Sequence, residues 1–413
     1  MTKKINPFKP NSPVPVGMFA GRLPEIESLE QGLYQTQNGN PQHFLITGER
    51  GIGKSSLMQY IRPLAKGDIT SPDYAKFNFV TVNTSISDRT GLITLIRLIE
   101  RGLKRELEKF ETIRSFMEST WSFVQRIKIM DSGVEKNEFI DDPDLVIDEF
   151  AYSLSETCRR ITNPEKGEEA KDGIIFFIDE ADNASHDLRI GYFFKTVAEA
   201  IQQNGGHNIS FIVAGLPELT EKLSTSHESS LRLFTELKVK ELKVQDRFYV
   251  IDKGIEEANK INESLTEITQ SAKEHISTLS EGYPHFIQQF SFSAFETNAD
   301  GEISDDDVLD GAFKDRGALD AIGARYYASS YYDQIKSDEY RQVLSIMAES
   351  MNSWVTKKEI SGKFSGSDQT LNNALQALTT RRIILRNTSR RGEYRLQQRG
   401  FALWIKMFGE RRK

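Results

Sequence analysis

Cysteine is nearly absent. The 413 residues contain one, Cys158, which excludes an internal disulfide and any metal site built from several thiolates, and points to a reducing compartment. Long apolar runs are missing as well. Nowhere do about 18 apolar residues follow one another, and the opening "MTKKINPFKPNSPVPVG" has lysines with no apolar stretch behind them, so neither a membrane span nor a signal peptide is expected. A cytoplasmic location is the expectation. No internal repeat is evident, and biased composition is confined to the proline-rich arm before Met18, expected to be extended.

The length exceeds what one ordinary core holds, and at about 150 residues per domain it predicts two to three domains. Net charge is mild at −7 but unevenly divided. From Glu339 to Lys413 there are 15 Lys and Arg against 6 Asp and Glu, which leaves 38 against 54 for the rest. An acidic body therefore carries a basic tail, which suits an anionic partner or a solvated face.

The stretch "HFLITGERGIGKSSLM" carries most of the chemistry. "FLIT" predicts a short buried strand, and "KSSLMQYI" a helix ended by Pro63. Between them Gly48, Glu49, Arg50, Gly51, Ile52, Gly53, Lys54 and Ser55, followed by Ser56, fit a phosphate-cradling loop. Glycines let backbone N–H groups curl around a phosphate chain, and the helix N-terminus adds partial positive charge. Lys54 is expected to reach the β and γ phosphates, and Ser55 to ligate Mg²⁺. "GIIFFIDEADNAS" supplies the acidic counterpart: five buried apolar residues, then Asp179 as a water-mediated Mg²⁺ ligand and Glu180 to polarise the attacking water. "FNFVTVN" (77–83) and "NISFIVAG" (208–215) predict further strands, the latter after a helix over 187–203, so strands and helices alternate as in a parallel sheet.

These motifs, in this order, resemble the AAA+ and STAND branches of the phosphate-loop ATPases, including relatives of origin-recognition initiators. The resemblance implies ATP rather than GTP, and no Asn-Lys-x-Asp element for guanine occurs. "MFAGRLPEIESL" is similar to the element that encloses the adenine in those proteins, making Phe19, Gly21 and Arg22 binding candidates, with Leu23 where an acid is usual. "AGLPEL" occupies the place of a phosphate-sensing polar residue but offers no Asn, Thr or Ser at the strand end. Arg232 lies where relatives carry an arginine that reaches a phosphate, from its own or a neighbouring subunit. "LSEGYPHFIQQF" resembles the Gly-x-Pro element of the STAND lid and nominates Pro284; the usual lid arginine is absent, with His285 in that neighbourhood.

Lys54 and Asp179 are 125 positions apart, which implies a helical insertion over about 87–172, with Asp142-Pro143 as a helix start. The tail predicts three helices and two strands joined by a basic turn, the order of a winged helix-turn-helix. Asn372, Asn373 and Gln376 would face base edges, and Arg390 and Arg391 phosphates or the minor groove; a protein-docking role is the alternative. The expected fold is α/β: a phosphate-loop (ASCE/AAA+) parallel sheet with helices on both faces (18–245) after an extended arm (1–17), then a helical lid (246–336) and a winged helix (337–413). The expected protein is an ATP-hydrolysing switch using ATP and Mg²⁺. Its partners are double-stranded DNA or a protein, with homo-oligomerisation in the ATP state; a STAND-type signalling or defence ATPase and a scaffold with negligible turnover are the rivals.

Overall fold

The computed structural model describes residues 4–12, 19–71, 76–107, 111–126, 142–351, 353–387 and 389–409. They fall into two compact units, Arg22–Lys240 and Met1–Gly21 with Glu241–Lys413.

The first unit runs α1 (Leu23–Gln37), β1 (His43–Thr47), α2 (Lys54–Lys66), β2 (Val80–Ser85), α3 (Leu92–Leu107), α4 (Glu111–Thr120), α5 (Phe123–Arg126), α6 (Pro143–Thr162), β3 (Ile174–Asp179), α7 (Ile190–Gln203), β4 (Ile209–Gly215), α8 (Leu219–Ser226) and β5 (Phe234–Lys238). Its five strands form one parallel sheet in the order β2-β3-β4-β1-β5. Strands covered on both faces need continuous apolar sequence, and β3 and β4 have it. Phe176 stacks on Phe211 at 5.2 Å, and Phe194 meets Phe211 edge-on at 5.5 Å. Each such buried ring contributes about 1.5–3 kcal/mol. All five strands run the same way, so their carboxyl ends share one edge. That edge carries the glycine loop and the acidic pair.

Three sequence expectations shift. Helix α2 passes through Pro63 instead of ending there, because the last turn is held by buried Leu64 and Ala65 and closed by Gly67 at φ 79°. Strand β2 starts at Val80 instead of Phe77, since Asn78 N–H is taken by the Asp172 carboxylate and Phe79 N–H by the Ala65 carbonyl. Helix α7 starts at Ile190, after a tight 3-10 turn and a left-handed Arg189 at φ 45°.

The insertion is core and not appendage. Gly102 of α3 lies so close to β2 that an added Cβ would stand 2.5 Å from Val82 Cγ1. Trp121 is buried and donates to Thr157 Oγ1 at 3.0 Å. Asp142 caps α6, accepting the Asp144 N–H at 2.9 Å, as the Asp-Pro pair predicts.

The second unit continues with α9 (Val244–Ile261), β6 (Glu267–Ile268), α10 (Gln270–Leu279), α11 (Pro284–Thr297), β7 (Glu302–Ile303), α12 (Asp305–Phe313), α13 (Ala318–Tyr326), α14 (Asp338–Glu349), β8 (Val355–Thr356), α15 (Lys357–Lys363), α16 (Asp368–Thr380), β9 (Ile384–Arg386), β10 (Glu393–Leu396) and α17 (Arg399–Phe408). A wide π-type turn, Ser329–Gln334, links α13 to α14. β9 and β10 pair antiparallel as expected from sequence, and β8 adds a third strand in the order β8-β10-β9. Neither β8 nor α17 is foreseen in the sequence reading.

Residues 4–12 pack along the helices of this unit. Phe8 is 2 % exposed and fills a slot opened by Gly254 on α9, where a Cβ would stand 2.1 Å from its ring. Asn262 clasps Ile5 through both backbone groups, and Lys4 Nζ donates to Thr266 Oγ1 at 2.9 Å. Gly254→Val closes the slot, so trypsin is expected to cut after Lys4 faster than in the wild type by at least about tenfold, the factor for losing about 1.4 kcal/mol of docking. Unchanged cleavage kinetics would mean that Phe8 is not what holds the arm.

Candidate active site

After Thr47 the chain must turn sharply to start α2. Gly51 and Gly53 take φ of 78° and 101°, conformations that cost an L side chain roughly 1–2 kcal/mol. Gly48 passes so near the end of β5 that an added Cβ would stand 2.7 Å from the Val239 carbonyl. Ile52 is buried and anchors the loop to the sheet. The amides of Lys54, Ser55 and Ser56 open α2 and have no carbonyl behind them in the helix. They form an anion-binding end.

Lys54 folds back over this loop, donating to the Gly48 carbonyl at 2.8 Å and the Glu49 carbonyl at 3.0 Å. Burial lowers its pKa, against the opposing pull of Asp179, Asp182, Glu49 and Glu218. Those carboxylates offset part of the cost of desolvating the ammonium. Arg22 opens α1 in the left-handed region at φ 72° and donates from Nη2 to the Ile52 carbonyl at 3.0 Å. It braces the loop from behind. Arg50 is exposed at the rim.

The acidic pair meets the loop. Ser55 Oγ donates to Asp179 Oδ2 at 2.6 Å, while Asp179 Oδ1 accepts the Glu180 N–H at 2.8 Å. One hydroxyl and one carboxylate oxygen side by side suit Mg²⁺, which takes one or two protein oxygens and completes its shell with phosphate and water. Glu180 is held left-handed at φ 54° and exposed, a strained backbone of the kind that persists where surroundings demand it. A cleft of about 520 Å³ opens beside them, lined by Ser55, Gln59, Arg62, Ser85, Asp179 and Glu180.

Two further residues belong here that the sequence reading missed. Ser85 stands opposite Asp179 in the β2–β3 register and donates from Oγ to Glu180 Oε2 at 2.9 Å. Asp182 reaches across to the end of β4, where its Oδ1 accepts the Leu216 N–H at 2.9 Å. The polar group missing from "AGLPEL" is thus brought to that strand end by the neighbouring segment. Gly215 permits the approach, since a Cβ there would stand 2.9 Å from Asp182 Oδ1. Ser85 ends β2 and Asp182 lies just past β3, and only strand order and register reveal their use.

The other candidates sit on other elements. Arg232 is exposed on the 3-10 turn Ser230–Leu233 that leads into β5. Phe19 and Pro284 belong to the other unit. There Pro284 opens α11 two residues after Gly282, whose φ is 84°, and His285 contacts Arg325 at 2.7 Å, its pKa lowered to about 4 by burial and by that cation. Asn372, Asn373 and Gln376 are exposed on α16, and Asn373 accepts from Gln369 at 3.1 Å. Arg390 and Arg391 are exposed in the turn between β9 and β10, which Asn387 organises by accepting the Ser389 and Arg390 amides.

A glycine loop after β1, an acidic pair ending β3, and β4 lying between those two strands define a phosphate-loop nucleoside triphosphatase. Residues 18–212 match the family model of the AAA ATPase domain. The fold extends over the whole length. The Aeropyrum pernix ORC2 protein, in ADPNP-ADP complexes, superposes with a TM-score of 0.57 at 13 % identity over 98 % of each chain. Its ADP form gives 0.51 at 12 % identity over 95 % of this chain and 93 % of that one. No curated protein matches the sequence. Among the described residues no helix is long and apolar enough to cross a membrane.

The Ser85 contact has a measurable consequence. A hydrogen bond to a carboxylate holds about 1.5–3 kcal/mol, and part of it opposes any swing of Glu180 toward a water. Ser85→Ala is expected to raise basal ATP turnover about threefold to tenfold with little change in KM, measured by steady-state phosphate release. A fall in kcat would show that Ser85 assists Glu180 instead of restraining it.

Proposed function

We propose that the chain is an ATP-hydrolysing switch in which nucleotide sets the position of a helical lid and, through it, of a winged-helix tail that binds double-stranded DNA. One observation carries the enzymatic part: the 2.6 Å contact of Ser55 with Asp179, with Glu180 next in sequence at the mouth of the cleft. The nucleotide complexes of the ORC2 protein support the same reading.

The residues divide the work. The amides of Gly51 to Ser56 bind the phosphate chain, and Lys54 exchanges two loop carbonyls for phosphate oxygens. Ser55 and Asp179 are the residues that would hold Mg²⁺, which would neutralise charge on the phosphates. Glu180 leaves Ser85 and takes a water as its hydrogen-bond partner, orienting it in line with the γ phosphate and accepting its proton. Arg22 keeps the loop from collapsing. Arg232, exposed before β5, suits a role in trans on a neighbouring copy's phosphate, which favours assembly in the ATP state.

For the tail, the reading rests on the local excess of Lys and Arg, on the exposure of Asn372, Asn373 and Gln376 on one helix, and on that of Arg390 and Arg391 in the turn between β9 and β10. The amides suit base edges and the arginines phosphates. Nucleotide moves the tail only if ATP favours one lid position over another.

Removal of the base should separate binding from chemistry. Glu180→Gln is expected to hold ATP within about threefold of wild type and to lose at least about a hundredfold in turnover, by equilibrium binding and phosphate release; equal turnover would deny Glu180 its role. Duplex binding should weaken steeply with salt, and replacing Arg390 and Arg391 by Ala should lower the salt slope by about 2. Failure to bind duplex at low salt, with and without ATP, would remove DNA as the partner.

A further inference from the structure

Helix α17 closes the C-terminal segment, yet its ends are held by residues of the lid helices and their connections. At its N-terminus the preceding residue, Gln398, offers no side-chain cap. Glu281, from the turn after α10, fills that role: its Oε1 accepts the Gly400 N–H at 2.8 Å. Gln398 instead accepts the Tyr327 hydroxyl at 2.9 Å. At the other end the Tyr332 hydroxyl donates to the carbonyls of Phe408 and Gly409 at 3.0 and 3.2 Å. Between the two grips, Gly323 of α13 lets Trp404 lie so close that a Cβ would stand 1.8 Å from its Nε1. The Tyr327 and Phe401 rings sit 4.9 Å apart, and those of Tyr331 and Trp404 5.6 Å apart. From α14, Arg341 donates to the carbonyls of Tyr331 and Tyr332, both at 3.3 Å.

Glu281 is an unusual residue to find in this place. Its backbone is left-handed at φ 51°, and burial raises its pKa despite the Gly400 and Arg399 amides and the nearby Arg395 and Arg399 side chains. A carboxylate held in a strained turn and away from water must be repaid by what it binds. It immediately precedes Gly282-Tyr283-Pro284, the turn that opens α11.

We propose that Glu281 is a positioning residue that pins α17 to this turn, and that with Tyr332 at the opposite end it makes lid and tail one rigid body. The tail does not swing freely on a linker; it is carried. Resting on the switch reading above for its purpose, the clamp specifies how a nucleotide-driven displacement of the Gly282–Pro284 turn reaches residues 338–396 without being absorbed on the way. Loss of the carboxylate leaves the Gly400 N–H without its acceptor, whereas an amide retains one.

Spin labels at Lys260→Cys on α9 and Lys358→Cys on α15 report the lid-to-tail distance. Both positions are exposed, and the native Cys158 is buried with its thiol pushed up to about 12, so it stays unlabelled. The full-length protein is expected to give one narrow distance distribution with or without ATP. Glu281→Ala should broaden it at least twofold, Glu281→Gln should restore it, and adding Tyr332→Phe to Glu281→Ala should broaden it further. A broad distribution in the wild type, or an unchanged narrow one in the doubly substituted protein, overturns the clamp. Should Glu281→Ala fail to fold, Tyr332→Phe alone must still broaden the distribution, or the proposal falls. ATP affinity measured on the same samples keeps the two readings apart: a wild type that binds no ATP but shows the narrow distance and the Ala-to-Gln rescue supports the clamp while sinking the switch.

Discussion

The contact between Ser55 and Asp179 joins segments 124 positions apart in the chain, and much of the first unit exists to make it short. Ser55 is placed by two left-handed glycines that start α2 at the right point, and Asp179 by a fully buried apolar strand whose register cannot slip without unseating packed rings such as Phe176 on Phe211. Parallel pairing then delivers both to the same edge. The site is therefore only as exact as the sheet, and the sheet's core is shared with the long insertion between β2 and β3.

That sharing changes what the insertion means. Because Leu95, Ile99 and Leu103 of α3 and Phe150 and Leu154 of α6 are fully buried with the strands, the segment cannot be lifted off without opening the core behind Glu180. An added module would leave an apolar face of its own. Here the apolar faces of α3 and α6 are consumed by the sheet and by α7.

The loop and the acidic strand were legible because their physics is local: glycines where φ is positive, apolar runs where both faces are covered, charge where a strand ends. Ser85 and Asp182 were not, since their use depends on which strands are neighbours and in what register. Pro63 misled for a related reason. A proline forbids one backbone hydrogen bond, but burial of Leu64 and Ala65 outweighs that loss near a helix end. Helix α17 escaped because its apolar positions suit a core that belongs to residues about 75 positions earlier.

The aromatic bed under α17 also redraws the boundary between parts of the molecule. Cutting the chain in the linker near residue 337, where sequence composition invites a division, would strip Phe401 and Trp404 from Tyr327 and Tyr331 and leave Gly323 at the floor of an open apolar trough. The shortened protein would expose sticky surface precisely where it was meant to be trimmed clean, so aggregation on truncation would report this hidden seam and not a role for the tail in folding the ATPase sheet.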